Sequence, residues 1–164
     1  MKKLNLASGR MYLDGYTNVD NKSMWGGDFP VDLEADVKTL EQEVESVDEI
    51  LLSHFMMYID TLEAPVLFRK WYKWLKPGGT FIIETGDLKK IAATVLGSSD
   101  SEVINGTNGV MQLFGWDTTK GHTWAWCADT IVPLLEEVGF KVTDVRDGGL
   151  HNRPERDVII TAQK

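Results

Sequence analysis

Five short stretches of the sequence hold the side chains that could do chemistry. Ala7-Ser8-Gly9 is a run of small residues that follows the apolar pair Leu4 and Leu6, and Asp20-Asn21 ends the next extended run. Asp36-Val37 lies in an acidic, loop-like stretch, and Ser53-His54 closes VDEILLSH with Tyr58 shortly after. The fifth stretch, FGWDTTKGHTWAW, gathers Trp116, His122, Trp124 and Trp126. Small residues allow close approach to a backbone, and a carboxylate at a strand end accepts hydrogen bonds from the hydroxyls of a ribose. That geometry suits a nucleoside, with Asp20 on the ribose diol and Asp36 and the backbone N–H of Val37 at the base. Histidine is the side chain suited to move a proton near neutral pH. Tryptophan faces beside Asp and His suit a sugar or a flat ring, although the same tryptophans would equally cover a sheet edge or a dimer interface. His151, in GLHNRPERD, reads as a loop histidine between the last two strands.

The elements that must position these groups follow from periodicity. KLNLAS and YTNVD read as strands one and two, and a short strand is expected around Ala35 to Val37. VDEILLSH and TFIIETG are apolar runs of the kind that fill a sheet buried on both faces. APVLFRKWYKWLK places Val66, Leu67, Trp71, Trp74 and Leu75 at helical spacing, and Pro77-Gly78-Gly79 then breaks the helix. DLKKIAATVLG is a helix capped by its Asp and closed by Gly97, and ADTIVPLLEEVGF is a helix stopped by Gly139. KVTDVRDG and RDVIITAQK close the chain as antiparallel neighbours. This alternation predicts an α/β domain over residues 1–164: a Rossmann-like open, mostly parallel sheet with helices on both faces and an antiparallel last strand. Ligands on such sheets bind beyond the carboxyl ends of the strands, where strand order reverses. The ends of these strands are the small residues, the two acids and the Ser-His pair.

Charge and composition narrow the partners. The formal net charge is −8 over 164 residues with no Lys/Arg cluster, which argues against a nucleic-acid partner. No apolar run approaches the roughly 20 residues of a membrane helix, and MKKLNLASG is too short in apolar residues for a signal peptide. Cys127 is the single cysteine, so no internal disulfide can form and a reducing cytoplasm is the expected setting. No metal-ligating set is expected.

NLASG, GYTNVD, ADVKTL, VDEILLSHFMMY and WLKPGGTFII, in that order and spacing, resemble the class I S-adenosylmethionine-dependent methyltransferases. The chain is most similar to a small "predicted methyltransferase" group associated with sugar and surface-polysaccharide genes, and GHTWAW and LLEEVGF extend that similarity over nearly the whole chain. Four positions depart from the group. Ala7-Ser8-Gly9 stands for the usual Gly-Cys-Gly, Asn5 for the acid common in the larger class, and Tyr58 for the second His of an HxxxH pattern. Ser8 to Gly15 is also short for a parallel crossover. The resemblance implies that this group trims the first helix to a loop.

The resemblance further implies S-adenosylmethionine as cofactor, held by Ala7, Ser8, Gly9, Asp20, Asn21, Asp36, Val37, Ser53 and His54. His122 would be the base or acceptor-orienting group, with His54 shaping the methionine end of the cofactor. Trp116, Trp124 and Tyr58 would meet the acceptor. A nicotinamide cofactor fits less well, because a dinucleotide site wants G-x-G-x-x-G and a helix N-terminus for its pyrophosphate, and this chain has neither. Two function classes follow. One is O- or N-methylation of a small or sugar-type acceptor, with a homodimer or partner subunit completing the site. The other is a non-catalytic domain that binds the cofactor or a partner chain.

Overall fold

The computed structural model describes residues 1–23, 27–99, 110–115, 121–151 and 153–164. Seven strands form one sheet: β1 (Lys3–Leu6), β2 (Thr17–Asp20), β3 (Leu33–Glu34), β4 (Val47–Ser53), β5 (Leu75–Gly86), β6 (Lys141–Asp147) and β7 (Asp157–Gln163). The strand order is β3-β2-β1-β4-β5-β7-β6. β1 to β5 run parallel, and β7 inserts antiparallel between β5 and β6. The mostly parallel sheet with an antiparallel last strand is therefore the architecture expected from the sequence. Strand order reverses at β1, which places a crevice over the ends of β1, β2 and β4.

β1 and β2 are parallel neighbours, yet residues 7–16 join them without a helix. Hydrogen bonds from a buried asparagine pair replace the missing element. Asn5 Nδ2 donates to Met11 O and to Asn18 Oδ1, and Asn18 Nδ2 donates to Leu13 O. Asn5, at the position where the larger class often has an acid, thus holds the loop in place of a crossover helix. Ala7 enters this loop at φ 54°, in the left-handed region where a Cβ costs roughly 1–2 kcal/mol. Ala7→Gly is expected to raise stability by about 1 kcal/mol, once the extra chain entropy of glycine is subtracted. That gain corresponds to a melting temperature roughly 2–4 °C higher, and an unchanged or lower melt would refute the strain.

Two element boundaries differ from the sequence reading. The short third strand pairs at Leu33–Glu34 and not at Ala35 to Val37. Asp32 fixes that register, because its backbone N–H donates to Asn18 O while its carboxylate accepts Asn18 N–H. From Asp36 the chain already turns, with Thr39 and Leu40 N–H on Asp36 O. Pro77-Gly78-Gly79 does not separate helix from strand. β5 begins at Leu75, and residues 76–79 arch out between the Val47–Leu75 and Glu49–Thr80 pairs. Gly79 is required in the arch, since a Cβ there would lie 2.9 Å from Lys76 O.

Among the described residues the helices are α1 (Glu63–Trp74), α2 (Leu88–Leu96), α3 (Val110–Phe114) and α4 (Ala128–Val138), with a 3-10 turn at Met56–Tyr58. α1 buries Leu67, Phe68, Trp71 and Trp74, and α4 buries Ile131 and Leu135, in one core with Leu4, Leu6, Ile50, Leu52, Phe81 and Ile160. Leu75 and Phe81 share that core. Val66 does not: it lies off the α1 stripe and is 62% exposed. Ile82 and Val138 are half-buried. α2 opens on Asp87, whose carboxylate accepts Lys89 and Lys90 N–H, and α4 closes on Gly139 at φ 112°.

Candidate functional site

The crevice is a cavity of about 710 Å³. Its rim at the β1 and β2 ends is made by Ala7, Ser8, Gly9, Asp20 and Asn21. Asp36 and Val37 line the side beyond β3, and Ser53, His54 and Tyr58 line the side beyond β4. His122 faces it from the segment before α4. Folding thus brings together every expected cofactor residue, together with Tyr58 and His122.

Asp20 organises the small-residue loop. Its Oδ2 accepts Gly9 N–H at 3.0 Å and its Oδ1 accepts Lys22 N–H at 2.7 Å. Asp36 Oδ1 accepts Lys38 N–H at 2.8 Å. Lys38 Nζ then reaches across to Tyr58 O and the Glu63 carboxylate, tying the second acid to the 3-10 turn. Burial raises the Tyr58 phenol above its ordinary pKa, so it stays a hydrogen-bond donor at the cavity wall. Ser8 lines the cavity at 7% exposure, and its Oγ is one of two buried side-chain polar atoms without a partner among the described residues. An orphaned hydroxyl at that position is a demand for a polar ligand atom, since leaving it unpaired costs about 1–3 kcal/mol.

Three histidines meet this cavity, two of them beside buried carboxylates. His54 sits at φ 51°, immediately after β4, with its N–H on Glu84 O. Its Nε2 lies 3.1 Å from Asp157 Oδ2. Arg156 grips the same carboxylate with Nε on Oδ1 at 2.5 Å and Nη2 on Oδ2 at 2.6 Å. Burial acts to raise the Asp157 pKa, but the hydrogen bonds and charges of His54 and Arg156 outweigh it and lower the group to about 2. Because the folded value is depressed from 3.8, the stabilisation is complete above about pH 4 and is lost as pH falls toward 2. The shift is worth about 2 kcal/mol. Asp157→Asn is expected to flatten that acid limb, and urea unfolding at pH 3 and pH 6 checks it. Equal acid sensitivity of wild type and variant would contradict the assignment.

His151 lies against Glu84, which is fully buried on β5. Ligand atoms of His54, Glu84 and His151 fall within 4.8 Å of one another, a spacing open to a metal. The Arg156 guanidinium, 3.2 Å from His54 Nε2, places a fixed positive charge against any cation there. The pairing of each imidazole with its own carboxylate describes the cluster better.

The Trp-rich segment is only partly a cavity wall. Trp126 is buried and structural, its Nε1 donating to Met56 O and Ile59 O. Trp124, expected at the acceptor, is 47% exposed and does not line the main cavity. Met57, Gly86 and Ile91 form a wall, and the indole sits in a shallow dent on its far side. The backbone N–H groups of Thr123 and Trp124 dock on Met57 O and fix it there. Trp116 lies outside the described residues. His122 packs edge-on to Tyr58, ring centroids 5.3 Å apart.

Sequence reasoning missed Lys38, Met57, His151 and Arg156 as cavity residues. Lys38 and Met57 each neighbour a predicted residue, which was the available signal. His151 and Arg156 come from the β6–β7 connection and are brought in only by the antiparallel insertion of β7.

The family model of a methyltransferase domain matches residues 17–83. Solved structures share the fold over 99% of this chain. An S-adenosylmethionine-dependent methyltransferase from Mesorhizobium loti is 17% identical, with 90% of that chain covered and a TM-score of 0.66. One from Archaeoglobus fulgidus is 18% identical, with 86% covered and a TM-score of 0.63. The fold is that of the S-adenosylmethionine-dependent methyltransferases. A third example is the 1,6-didemethyltoxoflavin N1-methyltransferase of Burkholderia thailandensis, solved with 1,6-didemethyltoxoflavin and S-adenosylhomocysteine bound. It is 13% identical, with 70% of that chain covered and a TM-score of 0.62. No curated protein matches the sequence. The family match over residues 17–83 takes in less than half of this chain, and what these solved structures share with it is the fold. Among the described residues no helix is long and apolar enough to cross a membrane.

Proposed function

We propose that this domain transfers a methyl group from S-adenosylmethionine to an oxygen or nitrogen of a small, polar acceptor of sugar type. The observation that carries the reading is the convergence of Gly9, Asp20, Asp36, Ser53 and the unpartnered Ser8 Oγ on one cavity at the point where strand order reverses. When bound, the cofactor supplies a methyl group activated by a sulfonium. Asp20 takes the ribose hydroxyls, and Asp36 and the Val37 N–H take the adenine. Ala7, Ser8, Gly9 and Asn21 form the wall against the nucleoside and the amino-acid tail. Ser53 and His54, at the end of β4, bound the region of the reacting methyl.

Methyl transfer is an in-line displacement, so the protein contributes mainly alignment and exclusion of water. On the acceptor side, Tyr58 donates a hydrogen bond and His122 orients the acceptor. A small acceptor is the kind of molecule that the Burkholderia enzyme of the same fold holds beside its cofactor product. The proposed setting is the cytoplasm, with a second copy of the chain covering the acceptor side.

Native mass spectrometry of the freshly purified protein tests the cofactor reading. An adduct with the mass of S-adenosylmethionine or S-adenosylhomocysteine is the expected result. Absence of an adduct, with no calorimetric binding of either compound, would overturn it.

A further inference from the structure

We propose that His151, held by Glu84, is the general base of the methyl transfer. The inference rests on the methyltransferase reading above and assigns the proton that reading leaves unplaced.

Glu84 is a fully buried carboxylate on β5, the strand paired between β4 and β7. Three donors converge on it. The Ser53 hydroxyl donates to Oε2, the His151 backbone N–H donates to Oε1 at 3.0 Å, and His151 Nδ1 lies 3.1 Å from Oε2. A carboxylate that receives Nδ1–H selects one tautomer, because a neutral imidazole protonated at Nδ1 is unprotonated at Nε2. His151 lines the cavity and its side chain is 39% exposed. With Nδ1 turned to the buried acid, the edge left to the cavity is the one carrying Nε2. The ring is also braced by His54, edge-on with centroids 4.3 Å apart.

The loop is built to reach this acid. Gly148 has φ 86°, and a Cβ on Gly149 would lie 1.9 Å from Glu84 Oε1, so the backbone there rests directly on the carboxylate. The arrangement is a carboxylate–histidine pair with the base nitrogen outward, in which the acid orients the ring and offsets the charge it gains. His122, by contrast, packs against Tyr58.

The step balances as follows. A lone pair on the acceptor oxygen or nitrogen forms the bond to the methyl carbon. The sulfur–methyl bond breaks with its electron pair returning to sulfur, which leaves S-adenosylhomocysteine. The acceptor's proton goes to His151 Nε2, giving an imidazolium beside the Glu84 carboxylate, and it passes to water once the product leaves.

The test measures transfer of tritiated methyl from S-adenosylmethionine to the small-molecule fraction of a cell extract. His151→Ala should lower the rate by about 10²–10⁴-fold, leave S-adenosylhomocysteine affinity within a few-fold, and recover activity with added imidazole. Glu84→Gln should lower the rate, and in ¹⁵N-histidine NMR it should abolish the Nδ1-protonated tautomer of His151 seen in the wild type. Because position 151 is a partly exposed loop residue, His151→Ala should keep the wild-type melting temperature. Wild-type transfer that survives in His151→Ala overturns the base and leaves the methyltransferase reading standing, as does a wild-type His151 protonated at Nε2 alone. Cofactor binding without any wild-type transfer overturns both.

Discussion

Phe81→Ala is expected to cost about 3–5 kcal/mol, the range for deleting a buried aromatic side chain. Phe81 is fully buried at the middle of β5, and its ring meets those of Phe68, Trp71 and Phe140 with centroids 5.5–5.9 Å apart. The truncation therefore opens a cavity between α1, β5 and Phe140, just past the Gly139 cap of α4, where close-packed rings cannot collapse without leaving their rotamers. Against a typical total of about 5–15 kcal/mol, such a loss brings the protein near the edge of folding. Urea unfolding followed by tryptophan fluorescence measures it. A loss below about 1 kcal/mol would mean that the four-ring cluster does not exist in solution. The effect also reaches the site, since β5 carries Glu84 three residues beyond Phe81.

Asp20→Ala should weaken S-adenosylhomocysteine binding by about 1–3 kcal/mol, or roughly 5–150-fold, the scale for losing hydrogen bonds to a charged group. Two roles meet in this carboxylate. It anchors Gly9 and Lys22 N–H within the protein, and its remaining lone pairs face the cavity where the ribose is proposed to lie. Loss of the anchoring should appear as a lower melting temperature without ligand. Loss of the ribose contact should appear in calorimetry as a weaker, less exothermic binding curve. Unchanged affinity in a folded Asp20→Ala protein would remove the ribose assignment and leave Asp20 as a loop anchor alone.

Much of the frame was legible in the residues themselves. Apolar runs at VDEILLSH and TFIIETG mark buried strands, because only a strand covered on both faces is apolar without alternation. Asp87, Gly97 and Gly139 mark helix ends, because the caps satisfy backbone groups that no other part of the helix can reach. The small residues and acids at successive strand ends locate one side of the cavity, since parallel strands present their carboxyl ends together. These are local signals, each carried by residues close in the chain. The bulge at 76–79 and the shift of β3 to Leu33–Glu34 were not legible, because pairing partners decide register: Asp32 with Asn18 in one case, Val47 with Leu75 in the other.

The histidine side of the cavity belongs to the tertiary structure. Nothing in GLHNRPERD distinguishes a base from a loop histidine, and His151 is 67 residues from Glu84 in the chain. Only the insertion of β7 between β5 and β6 lays the β6–β7 connection across the end of β5. Likewise Trp124 and His122 are neighbours in one motif, yet a wall of Met57, Gly86 and Ile91 leaves one outside and the other in. The sequence by itself determined the strands, the caps and the acids that line the cavity, because short-range sterics and hydrophobic periodicity set them. Which histidine meets a buried carboxylate was decided by strand order, since that contact depends on long-range packing that no local pattern encodes.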